Sequence, residues 1–249
     1  MKKNTYVQFE NSFFERIINK KRMEMFKLVR KKINISKIND LLDVGTTNDS
    51  KLSSSNFFCR MFNRIPRHKS ISDQKINNNR FTIRFKKSIT SNFSKKEINN
   101  LKSDLVISSA VIEHVGNFKN QTNKVRNMIN LSKKYIMITT PNRFFPIEVH
   151  TKLPLIHWLP KKMFRKILLF LRMDYFAREK NLNLLDISEL KKILDTFSRE
   201  ISYKIYNIHF LGFVSNFLVI CKVKNFKIIF NGNYRIKYKS RRFCCLHSS

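Results

Sequence analysis

The chain has 249 residues and carries 50 Lys+Arg against 17 Asp+Glu, a formal net charge of +33. Hydrophobic residues make up 42% of it, with 23 Phe and only four Gly. That excludes a disordered basic tail and, with no GxxxxGK string, a glycine-rich phosphate loop. The four Cys form no CxxC pair, so neither a zinc ribbon nor a disulfide framework is expected, and the compartment is taken as reducing.

About half of the excess charge sits at the two ends: residues 1–37 and 222–249 each carry +8. An AT-rich coding bias, visible in the abundant Lys, Asn and Ile, explains it as readily as attraction to nucleic acid, acidic lipid or acidic glycan. The N-terminus lacks an apolar signal core and no 18-residue window is uninterruptedly apolar, so no leader and no membrane span are expected.

In chain order, residues 6–32 show helical periodicity, with Val7, Phe9, Phe13, Phe14, Ile17, Ile18, Met25, Phe26 and Val29 on one stripe. Ile38–Val44 reads as a short strand ending in Asp43-Val44-Gly45. A helix is expected around Asn56–Asn63, and weak strands over 68–72 and 80–85. Asp104–Ser108 reads as a buried strand followed by a helical turn at 110–115. Residues 119–132 read as a helix and 134–140 as a second buried strand, stopped by Pro141. Residues 160–173 form a basic amphipathic segment, and Ser188 is placed to cap a helix running to Phe197. Two β-rich runs, 201–209 and 213–223, meet near Gly212. In the tail, Phe226–Phe230 and Tyr234–Tyr238 flank Asn231-Gly232-Asn233, a hairpin pattern. Strand–helix alternation predicts an α/β sheet with parallel strands and an antiparallel edge pair. Three units are expected: a basic helical segment over 1–37, a domain over 38–223 and a basic tail over 224–249.

The strand–turn LLDVGTTND places an acid at a strand end and a glycine where backbone must approach a ligand. Together with DLVISSAVIEHV about 60 residues on, this resembles class I S-adenosylmethionine-dependent methyltransferases. The stretch Thr139–Pro160 (TTPNRFFPIEVHTKLPLIHWLP) is similar to a bacterial subgroup of the methyltransferase type 11 group, as are Ser55-Asn56 and NLNLL at 181–185. The resemblance spans roughly residues 38–223. It implies a Rossmann-like, seven-stranded, mostly parallel sheet with a reversed last strand, in three α/β/α layers. It also implies S-adenosylmethionine as cofactor, lying across the carboxyl ends of the first, second and fourth strands. Asp43, Gly45 and Thr46 match the cofactor loop, Asp73 the acid that holds the ribose hydroxyls, and Ser108 and Ser109 the strand end beside the methyl group. The loop departs from GxGxG by keeping one glycine, and no adenine-contacting acid follows the third strand. An inactive scaffold of the same fold is therefore one alternative.

Within the 139–160 block, Asn142, Arg143 and His157 are candidate substrate-lining residues. Glu148, His150 and His114 are candidate bases for a hydroxyl acceptor. Glu113 is read as complementing a helix dipole. Two His and one Glu in this loop match no known ligand spacing, so no metal is expected. The position that carries (N/D/S)-P-P-(Y/F/W) in base N-methylating enzymes reads SSAV, and no Cys stands in the catalytic loops. A small-molecule, lipid-linked or glycan acceptor remains. Lys161–Met173 presents Met163, Phe164, Ile167, Leu168 and Leu171 on one face, flanked by Lys161, Lys162, Arg165, Lys166 and Arg172. It suits a core-packed helix or one lying on an anionic membrane. The expected location is the cytoplasm, with contact to the inner membrane face through this segment. The second functional class is RNA binding, carried by aromatics interleaved with cations in the tail.

Overall fold

The computed structural model describes residues 12–49 and 52–224. The tail hairpin, Cys244, Cys245 and residues 6–11 of the N-terminal helix lie outside them.

Seven strands form one sheet: β1 (Asp40–Val44), β2 (Arg67–Ser72), β3 (Ile83–Lys86), β4 (Ser103–Ser109), β5 (Ser132–Pro141), β6 (Ile201–Phe210) and β7 (Phe213–Val223). Their order is β3-β2-β1-β4-β5-β7-β6. Strands β1 to β5 pair in parallel, and β7 runs antiparallel to both of its neighbours. This is the Rossmann-like sheet with a reversed last strand. The β6–β7 hairpin turns at Gly212, whose φ of +81° suits glycine.

The helices are α1 (Ser12–Lys32), α2 (Phe57–Met61), α3 (Lys95–Leu101), α4 (Phe118–Leu131), α5 (Lys161–Phe170), α6 (Asp174–Ala177) and α7 (Ile187–Asp195). Successive strand residues point to opposite faces, so the apolar runs feed two cores. Leu42, Val106, Ile136 and Val219 pack with Val125 and Met128 of α4 and with Leu190 and Ile193 of α7. Leu41, Leu105, Met137 and Leu218 pack with Met25, Phe26 and Val29 of α1 and with Phe57 and Phe58 of α2. The result is three α/β/α layers. A third, smaller cluster (Phe164, Leu168, Ala177, Leu182, Leu184) holds α5 and α6 together, with Leu153 and Ile156 of the long β5–α5 connection packed on it.

One helix was not expected, and two local readings change. Helix α3 has one fully buried side chain, Leu101, and so shows no periodicity; its signature is the Ser94/Glu97 capping box. The cap of α7 is Asp186, which accepts from the backbone of Glu189 while Glu189 reaches back; Ser188 lies inside the first turn. On α5 only Phe164 and Leu168 are fully buried, whereas Met163, Leu169, Phe170 and Leu171 are exposed.

Candidate active site

The register of the sheet fixes which side chains meet. Asp43 stands opposite Ser70 on β2 and Ile107 on β4. The carboxyl ends of β1, β2 and β4 therefore bring Gly45, Asp73, Ser108 and Ser109 to one edge. The Gly45 N–H donates to the Ile71 carbonyl at 2.9 Å. Gly45 has φ +90°, and a Cβ there would lie 2.4 Å from Val111 Cγ2. Asp43 is buried, and its carboxylate accepts from Thr46 Oγ1 at 2.9 Å. Burial lifts its pKa to about 6, against the opposing Thr46 bond. Asp73 is exposed just past β2. Ser108 Oγ is buried with no hydrogen-bond partner among the described residues, while Ser109 Oγ accepts from Thr139 Oγ1 at 3.0 Å.

The loop after Gly45 leads to helix α2 at Phe57, within the expected Asn56–Asn63 helix, and the cap Asn56 has a left-handed backbone. The Asn56 side chain instead clamps the loop, accepting from Thr47 N and donating to Thr47 O. At the loop tip, Asn48 donates to Lys75 O and accepts from Asn77 N, which ties the loop to the segment after β2. Beyond that tie lies a polar cavity of about 410 Å³, lined by Thr47, Asn48, Asn56, Arg60, Asn78 and Arg80 among others. It touches none of the six residues expected around the cofactor. The strand-end residues are held by sheet register, and the cavity lies beside them.

The second cluster lies under the 142–160 connection. Glu148 accepts from His150 N, from Thr151 N and from His150 Nδ1, the last at 2.6 Å. Burial pushes its carboxyl up, but the bonds and charge of His150 outweigh this and bring it down to about 2. His150 is held above its ordinary value by the same carboxylate, although burial opposes it. His150 Nε2 meets His114 Nε2 at 3.1 Å, and His114 Nδ1 meets the Asn181 carbonyl at 2.6 Å. Burial and the charge of His150 hold His114 below its ordinary value. The three expected bases thus form one chain, although His114 and His150 are 36 residues apart in sequence.

Glu113 does not complement a helix dipole. It sits in a single 3-10 turn, Ile112–His114, fully buried, and accepts from Thr140 Oγ1 at 3.0 Å. Asn142 donates to Val214 O and accepts from Phe144 N, and Arg143 donates to His157 O and Leu159 O. His157 Nε2 donates to Phe145 O at 2.7 Å. These bonds brace the connection.

The sequence reading missed Gln121, Lys124 and Asn183, all buried here. Gln121 donates to Ile112 O and Asn183 O, and Asn183 donates to Gly116 O. The Lys124 amine is wholly buried, and burial draws its pKa down to about 7 despite the opposing charge of Glu113. Four non-glycine residues around the site have positive φ: Asn56, Ala110, Lys152 and Leu155. Such strain gathers where a loop is held for function.

No protein-family model matches the chain, and no curated protein matches it. Solved structures do. The plantazolicin methyltransferase BpumL, in complex with S-adenosylhomocysteine, shares 15% identity at a TM-score of 0.50, covering 85% of each chain. A protein provisionally assigned to the Zn-dependent alcohol dehydrogenases of Rhodobacter sphaeroides shares 11% identity at a TM-score of 0.51, over 75% of this chain and 84% of that one. The N-methyltransferase NodS of Bradyrhizobium japonicum, also with S-adenosylhomocysteine, shares 8% identity at a TM-score of 0.49, over 81% and 86%. At these identities the likeness is one of fold: the chain has the architecture of the Rossmann-like methyltransferase domains.

Proposed function

We propose that the chain is an S-adenosylmethionine-dependent methyltransferase acting on a small-molecule, lipid-linked or glycan acceptor. One observation carries the reading: Asp43, Gly45 and Asp73 stand together at the carboxyl edge of a sheet ordered β3-β2-β1-β4-β5-β7-β6. When bound, the cofactor supplies an activated sulfonium methyl. The exposed carboxylate of Asp73 offers two acceptor oxygens to a pair of vicinal hydroxyls. Gly45 lets backbone approach a ligand closely. The 142–160 connection leaves the carboxyl end of β5 and meets the turn after β4 through His150 and His114, and a held loop there suits orienting an acceptor. The fold neighbours BpumL and NodS, solved with S-adenosylhomocysteine, support the choice of cofactor. Calorimetric titration with S-adenosylhomocysteine tests it. One equivalent is expected to bind, and Asp73→Asn is expected to weaken binding about 10–100-fold, the loss of a charged hydrogen-bond acceptor. Absence of heat with the wild-type chain sinks the reading.

The acceptor is proposed to reach the site at an anionic bilayer surface. Among residues 144–171, Phe144, Leu155, Trp158, Met163, Leu169 and Phe170 are exposed, Phe170 by 86%. Lys162, Lys166 and Arg172 are exposed among them. An apolar surface with a cationic rim suits the headgroup boundary. No helix among the described residues is long and apolar enough to cross a membrane. Full-length protein is expected to sediment with phosphatidylserine-containing vesicles and to lose most of that binding on Phe170→Asp. Equal recovery in the supernatant with and without vesicles at moderate salt rejects the surface.

A further inference from the structure

The amino ends of the parallel strands form the edge of the sheet opposite the candidate active site. Asp40 pairs with Arg67 in the register of β1 and β2, and Ser103 with Ser132 in that of β4 and β5. Strand β7 runs the other way, so its last residues come to the same edge, with Lys222 opposite Tyr135. Basic residues stand at these strand ends. Asp40 accepts from Arg67 at 2.6 Å and from Lys133 at 3.2 Å, and Asp104 pairs with Lys134 at 3.2 Å. Both carboxylates are buried, while Arg67, Lys133 and Lys134 stay 60%, 44% and 44% exposed. The buried acids thus anchor cations whose charge still faces solvent.

More charge of the same sign gathers there. Helix α1 ends at this edge in Arg30-Lys31-Lys32, and Lys134 Nζ donates to the Lys37 carbonyl at 2.8 Å, which holds the α1–β1 link against β5. Lys102 and Lys222 are exposed. Part of this charge answers the carbonyl ends of helices, as buried Lys69 does by donating to Asn100 O and Lys102 O at 3.0 Å. The exposed cations add a field of one sign at the surface. The patch stops at β6, where Asp195 and Glu200 are exposed.

None of the exposed large apolar side chains among the described residues belongs to this edge. A bilayer surface takes up apolar groups together with charge, and those lie on the 144–171 side of the molecule. Cations without apolar neighbours suit phosphodiesters. From Lys224, at this edge, the chain continues into residues 225–249, whose sequence holds six Lys/Arg and no acid. Phe226, Phe230, Tyr234, Tyr238 and Phe243 are interleaved with them. Aromatics between cations suit unpaired bases, each of which offers a π-face for stacking. We propose that the amino edge of β2-β1-β4-β5-β7, with the end of α1, docks the phosphate backbone of single-stranded RNA on the side opposite the candidate active site.

Fluorescence anisotropy of the full-length protein with a labelled single-stranded RNA, across salt, tests this surface. A strand that meets about six cations gives log K against log salt a slope of about −4. Lys31→Gln/Lys102→Gln/Lys222→Gln removes exposed cations that lie outside the ion pairs above, so its thermal melting is expected to match that of the wild type. Its slope is expected to flatten by about 2, and its affinity near ~0.15 M salt to fall about 10–100-fold. Lys95→Gln/Lys119→Gln/Lys180→Gln removes as many exposed cations elsewhere and is expected to keep both. Equal losses in the two triple variants overturn the proposal, because the net charge alone then does the binding. Absence of RNA binding at low salt overturns it as well, as does tighter binding to a DNA duplex of the same length. Loss of phosphatidylserine-vesicle binding in the first variant, with RNA binding kept, assigns the edge to the bilayer and overturns it too. No cofactor enters the assay, so its failure is distinct from failure of the cofactor titration.

Discussion

Asp43→Asn is expected to make the cofactor-free protein more stable by about 3 kcal/mol near pH 7.5, while it weakens binding of S-adenosylhomocysteine. Asp43 is buried, no cation is among the causes of its shift, and its pKa rises from 3.8 to about 6 because burial disfavours the charged form. The native state therefore holds this proton more tightly than the unfolded chain does. The stability it contributes is complete below about pH 3.8 and is lost as pH rises through about 6. Above that, about two pKa units at ~1.36 kcal/mol each stand against the folded state. Asn keeps an oxygen for the Thr46 hydroxyl and carries no charge.

Urea midpoints of both proteins near pH 5 and pH 7.5 check this. The variant's advantage should be large at the higher pH and shrink toward the lower one. An advantage independent of pH shows that Asp43 is not a strained carboxylate. The two opposed signs matter because a merely damaging substitution lowers stability and binding together. Holding an ionised Asp43 in a dry strand end is a standing cost, and a cationic or hydrogen-bonding ligand is what makes such a group useful.

What the sequence disclosed follows from how far each signal reaches along the chain. Strands β1, β4 and β5 were legible because both faces are buried, so their apolar runs are continuous. The positions of Asp43, Gly45 and Asp73 follow from strand ends alone, and the parallel register then gathers them. Helix α3 was not legible, since one buried leucine makes no pattern. The polar cluster was only half legible. His150 and Glu148 are two residues apart and stood out, but His114 joins them only through the pairing of β4 with β5. Lys124 lay inside a helix expected over 119–132, and nothing local says that it is buried near Glu113. Asn142, Arg143 and His157 stood out as polar residues in a loop, and their partners shown here are backbone groups, which no side-chain pattern records. The helix around Asn56–Asn63 was legible and begins at Phe57, but the clamp of the Asn56 side chain on Thr47 was not.

Gly45→Ala is expected to destabilise the protein by about 3 kcal/mol and to remove most of its affinity for S-adenosylhomocysteine. Two separable effects add. A non-glycine residue at φ +90° is strained by about 1–3 kcal/mol, and the new Cβ would stand 2.4 Å from Val111 Cγ2, well inside contact distance. Val111 is β-branched and cannot rotate cheaply away. The double variant Gly45→Ala/Val111→Ala removes the clash and leaves the backbone strain, so it should recover about 1–2 kcal/mol relative to the additive sum of the single variants. A double-mutant cycle by urea denaturation measures that coupling. Additive effects would mean that Val111 already yields, and that the single glycine is kept for its backbone angle alone. A coupled result means that this one glycine also seats Val111, two residues past β4, against the residue after β1. A loop with one glycine where GxGxG has three would then keep the position at which two strand ends must touch, and that contact sets the floor of the proposed cofactor site.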